Sequence, residues 1–191
     1  MAQRVCPWWL GYLLASPIRR WFEDPAKLLA PYVREGMTVL EPGPGMGFFT
    51  LDLARLVGSS GRVVAVELQP RMIAGLKRRA ARAGLLERLD VRLSSPDSMG
   101  VADLAGAVDF SLVFAVVHEL PAMETFFAEL AQASKPGAGL LLAEPNGHVN
   151  AAQFEAELQA AANAGFGVVD RPAVRRSRAA LLKRTEMSAR M

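Results

Sequence analysis

Short apolar runs alternate with longer amphipathic segments through most of the chain after residue 35. The apolar runs have the length of buried strands, and the amphipathic segments have the spacing of helices that bury one face. Strands that alternate with helices predict a largely parallel sheet covered by helices on both faces. The predicted strands one to five cover residues 37–41, 62–67, 89–93, 108–114 and 139–144.

Helix signals fall between these strands. Phe49, Leu53 and Leu56 share one face of the segment that follows strand one. Pro70 and Pro121 stand at two further helix starts, where the missing N–H of proline has no helical partner to lose. The predicted helices cover residues 70–82, 121–134 and 151–163, and a turn at residues 135–137 precedes strand five.

The C-terminal part holds two consecutive strand patterns, residues 166–170 and 174–183, with no room for a helix between them. A parallel crossover needs a dozen or more residues, so two strands joined this tightly must be antiparallel. The sequence therefore predicts an α/β fold with a seven-stranded mixed sheet, parallel except for a C-terminal antiparallel hairpin.

The chain of 191 residues suits a single domain, 1–191, with an N-terminal arm at 1–35 and a core at 36–191. All three tryptophans and both tyrosines lie in the first 32 residues. This aromatic arm could cover the active site as a lid and exclude water. The alternatives are a docked helix, a homodimer contact, or an interfacial membrane anchor with Arg19 and Arg20 at the headgroups.

Composition narrows the class of protein. A hydrophobic content of 51% argues against disorder. The net charge of +3 and pI of about 9.4 are mildly basic and do not by themselves indicate a nucleic-acid partner. One cysteine and two histidines lack paired ligand spacing, so we expect no metal site. No apolar run reaches membrane-spanning length, and a cytoplasmic location is the simplest interpretation.

A glycine-rich segment joins strand one to the helix after it, in the pattern Glu41-x-Gly43-x-Gly45-x-Gly47. Glycine lets the backbone approach a ligand, and the helix start offers unpaired N–H groups. Glu67 ends strand two, where an acid can accept both hydroxyls of a ribose. The third glycine of a dinucleotide fingerprint would fall at Phe48, which argues against a dinucleotide.

These segments resemble motif I and the following acid of the class I S-adenosylmethionine-dependent methyltransferases, over roughly residues 36–184. The resemblance implies a Rossmann-like seven-stranded sheet, S-adenosylmethionine as cofactor, and methyl transfer as the activity. An acid after strand three, here Asp97, accepts from the adenine amino group in that family. The cofactor-binding residues implied are Glu41, Gly43, Gly45, Gly47, Glu67, Leu68, Asp97, Ser98, Phe114 and Ala115.

The candidate catalytic residues are His118, Glu119 and His148. Residues 108–121 resemble the strand-four region of small-molecule methyltransferases, many of which carry two histidines before Leu-Pro, where this chain has His118-Glu119. Each histidine follows the carboxyl end of a predicted strand, where ligands bind in open α/β sheets. Either could take a proton or orient a substrate, and the alternative is a hydrogen-bonded structural histidine.

Several functions remain open from the residues alone. A small-molecule methyl acceptor is the preferred one. Basic runs such as residues 77–79, and a resemblance of residues 41–45 to RNA adenine dimethyltransferases, raise RNA as an acceptor. Those enzymes carry an Asn-x-Pro-aromatic motif after strand four, which His118-Glu119-Leu120-Pro121 lacks, and this disfavours RNA. A catalytically silent S-adenosylmethionine-binding protein is a further alternative, and a nicotinamide reductase comes last.

Overall fold

The computed structural model describes residues 24–185. The aromatic arm proposed for residues 1–35 therefore lies mostly outside the described residues. Trp8, Trp9, Tyr12 and Trp21 belong to the part that is not described, and so do Arg19 and Arg20. Within the described residues, no helix is long and apolar enough to cross a membrane.

The described strands form one seven-stranded mixed sheet in the order β3-β2-β1-β4-β5-β7-β6. The predicted Rossmann-like fold, mostly parallel with a C-terminal antiparallel hairpin, is confirmed. The strands are β1 Thr38–Pro42, β2 Arg62–Glu67, β3 Leu89–Leu93, β4 Val108–Phe114, β5 Ser134–Pro145, β6 Phe166–Asp170 and β7 Ser177–Arg184.

Five α-helices are described, and short 3₁₀ turns supplement them. The helices are α1 Pro25–Leu29, α2 Thr50–Leu56, α3 Pro70–Arg82, α4 Met123–Ala133 and α5 Ala151–Asn163. Asn150 caps α5 in a reciprocal capping box with Gln153, which satisfies two backbone donors at the helix start. The predicted ranges of α3 and α5 match the observed ones, because the proline start and the capping box are local signals.

The described chain divides into two compact units, residues 24–95 and 96–185. In the first unit β2 pairs with β1 and β3, and both pairings are parallel. Leu40, Leu53, Val64 and Leu76 are fully buried in its core. Strands that are apolar on both faces are expected in a parallel sheet, which explains the continuous apolar run of β2.

In the second unit β4 and β5 are parallel, and β7 is antiparallel to both β5 and β6. The fully buried side chains of this unit include Phe127, Leu141 and Phe166. The carboxyl ends of β4 and β5 lead into the segments that carry the two histidines.

Strand β5 begins earlier than the sequence indicates. Residues 135–137 were expected to form a turn before a strand at 139–144, but they lie within β5. Ser134 pairs with Val108, and the register then shifts before Gly139 pairs with Phe110. Gly137, which lies between these two pairings, has a positive φ of 75°, as is common at an irregularity in a strand. Pairing with β4 therefore overrides the local turn signal, and α4 also begins two residues after the expected Pro121.

Strand β7 also departs from expectation, since it begins at Ser177 instead of residue 174. The Ser177 N–H donates to the carbonyl of Val174 at 3.1 Å, so the residues before it form a turn. Arg176 has a φ of 58°, which continues that turn.

Candidate functional site

The glycine loop of the first unit follows β1. Gly43, Gly45 and Gly47 all have positive φ values, 67°, 55° and 83°. A Cβ on Gly47 would lie 2.4 Å from Cδ1 of the buried Leu76, so close packing on α3 requires glycine there. A Cβ on Gly45 would meet no atom of the described residues within 4 Å. The loop thus presents bare backbone beside open space at Gly45.

Glu67 ties this loop to the end of β2. The residue is 7% exposed, and its Oε2 accepts a hydrogen bond from the Gly45 N–H at 3.1 Å. Oε1 accepts from the Gln69 N–H at 2.9 Å. Leu68, between the two, is half-buried. The acid that the sequence assigned to a ribose therefore also fixes the conformation of the glycine loop.

Glu41, at the end of β1, is buried in the same unit. Burial raises its pKa to about 8, the Thr50 hydroxyl opposes this rise, and the Glu67 carboxylate adds to it. Among the described residues, Glu41 Oε2 has no hydrogen-bond partner. A buried carboxyl with an unused oxygen can meet a cationic or donor group of a ligand, and this fits the ammonium group of S-adenosylmethionine.

Arg79 of α3 braces the glycine loop from the other side. Its guanidinium donates to the carbonyl of Met46 at 2.6 Å. The sequence suggested that residues 77–79 form a basic surface, but this member of the run makes a structural contact.

The segment after β3 contains the predicted adenine-binding residues. Asp97 and Ser98 are both exposed. The Ser98 hydroxyl donates to Glu129 Oε1 at 2.5 Å, and the Met99 N–H donates to Glu129 Oε2 at 2.7 Å. Glu129 on α4 therefore anchors this segment, a contact that sequence reasoning did not anticipate.

The end of β4 holds Phe114 and Ala115, which are half-buried. Ala115 has a φ of 59°, a left-handed conformation that is uncommon for a residue with a Cβ. Its N–H donates to the Ala143 carbonyl of β5 at 2.8 Å. The sharp turn there directs the chain into the short 3₁₀ turn Val117–Glu119.

His118 lies on that turn and is held by Glu144 at the end of β5. The Glu144 side chain is fully buried, and its Oε2 contacts His118 Nδ1. Its Oε1 accepts hydrogen bonds from the N–H groups of Val116 and Val117, at 3.0 and 2.7 Å. One carboxylate therefore fixes both the backbone of the turn and the orientation of the histidine ring.

His148 lies in the loop after β5 and meets His118. His148 Nδ1 is 3.3 Å from His118 Nε2, and the two rings are perpendicular. The loop is braced, since the His148 N–H donates to the Pro145 carbonyl at 3.0 Å and the Val149 carbonyl accepts from Arg178. The two histidines predicted from the ends of strands four and five thus form a single cluster.

The acids around His118 shift its protonation. The hydrogen bond to Glu144 raises the pKa of His118 and desolvation lowers it, while the charges of Glu144 and Glu119, and that of Glu157 once it is ionised, raise it further. Glu119, the third candidate catalytic residue, is half-buried on the same turn. Its charge contributes to the raised pKa of His118.

Glu157 of α5 is a second buried acid in this cluster. It is 5% exposed, and within the described residues its Oε2 has no hydrogen-bond partner. Burial raises its pKa to about 8, Glu144 adds to the rise, and His118 lowers it. The group is therefore largely protonated and neutral near pH 7.

Sequence reasoning missed Glu144 and Glu157 as site residues. Glu144 is the last residue but one of β5, and Glu67 is the last residue of β2, so an acid at the end of a strand was an available signal. Glu157 falls beside Phe154, Leu158 and Ala161 on the buried face of α5, where a solvated acid is out of place. No group of three or more His, Cys, Asp or Glu side chains in residues 24–185 could hold a metal ion.

Comparison with known proteins gives the family. The family model described as a methyltransferase domain matches residues 33–176. The chain belongs to this methyltransferase family. Membership implies S-adenosylmethionine as the cofactor, in agreement with the glycine loop and the buried acids Glu41 and Glu67 described above.

A solved structure and two curated methyltransferases illustrate the family. The crystal structure of a S-adenosylmethionine-dependent methyltransferase from Aquifex aeolicus is 26% identical, with a TM-score of 0.84 over 95% of this chain and 100% of that chain. Arsenite methyltransferase of Halobacterium salinarum is 28% identical over 57% of this chain and 27% of its own length.

The second curated methyltransferase acts on a different class of acceptor. It is the tRNA (adenine(57)-N(1)/adenine(58)-N(1))-methyltransferase TrmI of Methanocaldococcus jannaschii, 29% identical over 37% of this chain and 27% of its own length. The chain therefore spans about a quarter of the length of the curated methyltransferases that it matches. The named acceptors of these two proteins differ in kind.

Proposed function

We propose that this protein transfers a methyl group from S-adenosylmethionine to a small-molecule acceptor. The observation that carries the proposal is the anchoring of His118 on the buried Glu144, with His148 3.3 Å away. A histidine oriented by a buried carboxylate is suited to removing a proton from a nucleophile.

The cofactor would be held by the residues inferred from the sequence. Glu67 would accept from the ribose hydroxyls, the backbone at Gly43, Gly45 and Gly47 would approach the methionine part, and Glu41 would meet the ammonium group. Five further residues would line the cofactor site beside the adenine and at the end of β4: Leu68, Asp97, Ser98, Phe114 and Ala115. When bound, S-adenosylmethionine supplies a methyl carbon on a cationic sulfur, and the bond electrons stay with sulfur as the acceptor atom takes the carbon.

The protein's own task is then to orient the acceptor and move its proton. The glycine loop and the two buried acids Glu41 and Glu67 bind, and the histidine cluster receives the proton that the nucleophile loses. Glu119 would adjust the charge at His118 from the same turn. General base catalysis of this kind contributes about 10²–10⁴-fold to a rate.

RNA is the second candidate acceptor, favoured by one curated relative and by the basic composition. The contacts of four of the basic residues speak against it. Three arginine side chains donate to backbone carbonyls: Arg79 to Met46, Arg178 to Val149, and Arg184 to Gly165 and Ala131. A fourth, Arg171, forms an ion pair with Glu155. Side chains that are already paired within the protein make a poorer phosphate-binding surface.

The test supplies the purified protein with methyl-labelled S-adenosylmethionine and three separate pools: low-molecular-weight extract, RNA and protein. We expect label in the low-molecular-weight pool. Label in RNA, with steeply salt-dependent binding, would support the RNA alternative. Binding of the cofactor with no label in any pool would support a silent binding protein.

Matched variants make this test specific. Glu67→Gln should strongly reduce labelling at a limiting concentration of S-adenosylmethionine, because it weakens the cofactor site. Glu87→Gln changes an exposed acid of the same unit and should leave labelling intact. Labelling that is unchanged in the Glu67 variant at limiting S-adenosylmethionine would point to a contaminating enzyme.

A further inference from the structure

Three groups of the second unit form a chain from the interior to the surface. The Glu144 side chain is 0% exposed and the His118 side chain 17% exposed, while His148 is an exposed residue. Glu144 contacts Nδ1 of His118, and Nε2 of His118 meets Nδ1 of His148. Nε2 of His148 is on the opposite edge of its ring from that contact.

The contacts determine which atoms carry protons. Glu144 already accepts two backbone N–H groups at Oε1, as expected of an ionised carboxylate. His118 must therefore donate from Nδ1 to Glu144. In the neutral cluster the Nε2 lone pair of His118 then accepts from the Nδ1–H of His148. This arrangement leaves a lone pair on Nε2 of His148, where a proton can be received.

One added proton reverses the direction of this chain. When Nε2 of His148 gains a proton, its Nδ1 proton passes to Nε2 of His118. The positive charge then lies on His118 beside the buried Glu144, and His148 remains neutral with its proton on Nε2. A buried carboxylate stabilises a cation in contact with it more strongly than a cation one ring further away.

We propose that Nε2 of His148 takes the proton of the methyl acceptor, that His118 stores the resulting charge against Glu144, and that the acceptor is therefore a protic nucleophile such as a hydroxyl. The proposal rests on the proposed function for its acceptor. The O–H bond of the acceptor breaks, an N–H bond forms at His148 Nε2, and a second N–H bond forms at His118 Nε2 as the Nδ1–H bond of His148 breaks. His118 is then a positioning residue, and His148 is the catalytic one.

Other charged groups also face His118. They are Glu144 from β5, Glu119 from its own turn and Glu157 from α5, and each of them favours the imidazolium when it is ionised. His118 in turn lowers the pKa of Glu157. A charge that arrives on His118 therefore also eases the loss of the buried Glu157 proton, and this would limit the net charge in the interior.

The direct test is nitrogen-15 NMR of the full-length protein across a pH titration, without cofactor or acceptor. The chain has only two histidines, so two imidazole spin systems are expected, and His118→Gln and His148→Gln assign them. We expect both rings to carry the proton on Nδ1 at high pH. On acidification His118 should become imidazolium, and His148 should switch to the Nε2–H tautomer at the same midpoint. Independent midpoints, or His118 protonated on Nε2 at high pH, would overturn the relay.

Glu144→Gln gives a sharper arm of the same experiment. The glutamine oxygen can still accept from Val116 and Val117, which preserves the turn, but its amide would donate to His118 Nδ1. The His118 proton should then move to Nε2 and its pKa should fall. Glu155→Gln is the control on α5, because Glu155 is exposed and pairs with Arg171, and it should leave both titrations unchanged.

Activity separates this inference from the proposed function. Once an acceptor is identified, His148→Gln should lower kcat about 100-fold. It should also abolish the pH dependence of kcat that is due to the histidine cluster. Added imidazole should restore part of the rate to His148→Ala. Coupled titration with no methyl transfer would overturn the proposed function and the acceptor step with it. Methyl transfer that is unaffected in His148→Gln, or that acts on a carboxylate needing no base, would overturn the relay alone.

Discussion

Glu67 connects the loop conformation to ligand binding at the scale of one residue. Its two oxygens hold the N–H groups of Gly45 and Gln69, and the proposed ribose contact would use the same carboxylate. A change at this residue therefore acts on both the loop and the cofactor.

We expect Glu67→Ala to lower the affinity for S-adenosylmethionine at least about tenfold. Hydrogen bonds to a charged acceptor are each worth about 1.5–3 kcal/mol, and about 1.4 kcal/mol corresponds to a factor of ten. Titration calorimetry on the folded variant measures the change, with the exposed Glu87→Ala as control. An unchanged affinity would remove Glu67 from the cofactor site.

Glu144 and Glu157, two acids of the second unit, differ in a way that the sequence does not show. Glu144 is held by two backbone donors and a histidine, whereas Glu157 has an oxygen without a partner among the described residues. Both residues are glutamates, and the sequence around each of them does not reveal this difference. The raised pKa of Glu157 follows from its burial and from the Glu144 carboxylate, and both are features of the tertiary structure.

At the scale of elements, the loop between β1 and α2 uses its glycines for different reasons. Gly47 is required by packing, since its missing Cβ makes room for Leu76 of α3. Within residues 24–185, a Cβ on Gly45 would face open space and contact no other group. Both have positive φ values, which cost a residue with a Cβ about 1–2 kcal/mol.

These two glycines give opposite expected results. Gly47→Ala should lower the free energy of unfolding more than Gly45→Ala, because overpacking adds about 1–3 kcal/mol to the backbone cost. Gly45→Ala should instead lower the affinity for S-adenosylmethionine more strongly. Urea denaturation and calorimetry on both variants measure the two effects. Equal losses of stability would show that the Leu76 contact relaxes without cost.

At the scale of the whole molecule, buried acids make folding depend on pH. Glu41 and Glu157 have ordinary pKa values of 4.5 and values of about 8 in the folded protein. Between these values the folded state holds protons that the unfolded state has lost. Stability therefore falls as pH rises through this window. His118, whose pKa is raised, acts in the same direction above 6.5.

We expect the free energy of unfolding of the cofactor-free protein to fall from pH 5 to pH 8 and to level off above that. Each buried acid contributes a slope of at most about 1.4 kcal/mol per pH unit. Urea denaturation at successive pH values should show a flatter profile for the double variant Glu41→Gln and Glu157→Gln. The exposed pair Glu87→Gln and Glu155→Gln should keep the wild-type slope. A stability that rises over this range would contradict the assignment.

The sequence by itself determined the layers of the fold and the ligand loop. The ranges of β2, β3, β4 and β6 follow from apolar runs, and α3 and α5 follow from their start signals. The glycine loop and Glu67 were also evident, because positive φ values and a strand-ending acid leave a local mark in the sequence.

Only the tertiary structure decided which side chains of the second unit contact one another. His118 and Glu144 are 26 residues apart, and His118 and His148 are 30 apart, so no local pattern pairs them. Burial converted Glu157 from an ordinary helix residue to a neutral acid beside them. The start of β5 depended likewise on pairing with β4, which outweighed a proline and a glycine. The free energies of local secondary-structure propensity are small compared with those of long-range packing and charge pairing. A pattern within one segment of the sequence therefore cannot predict these features.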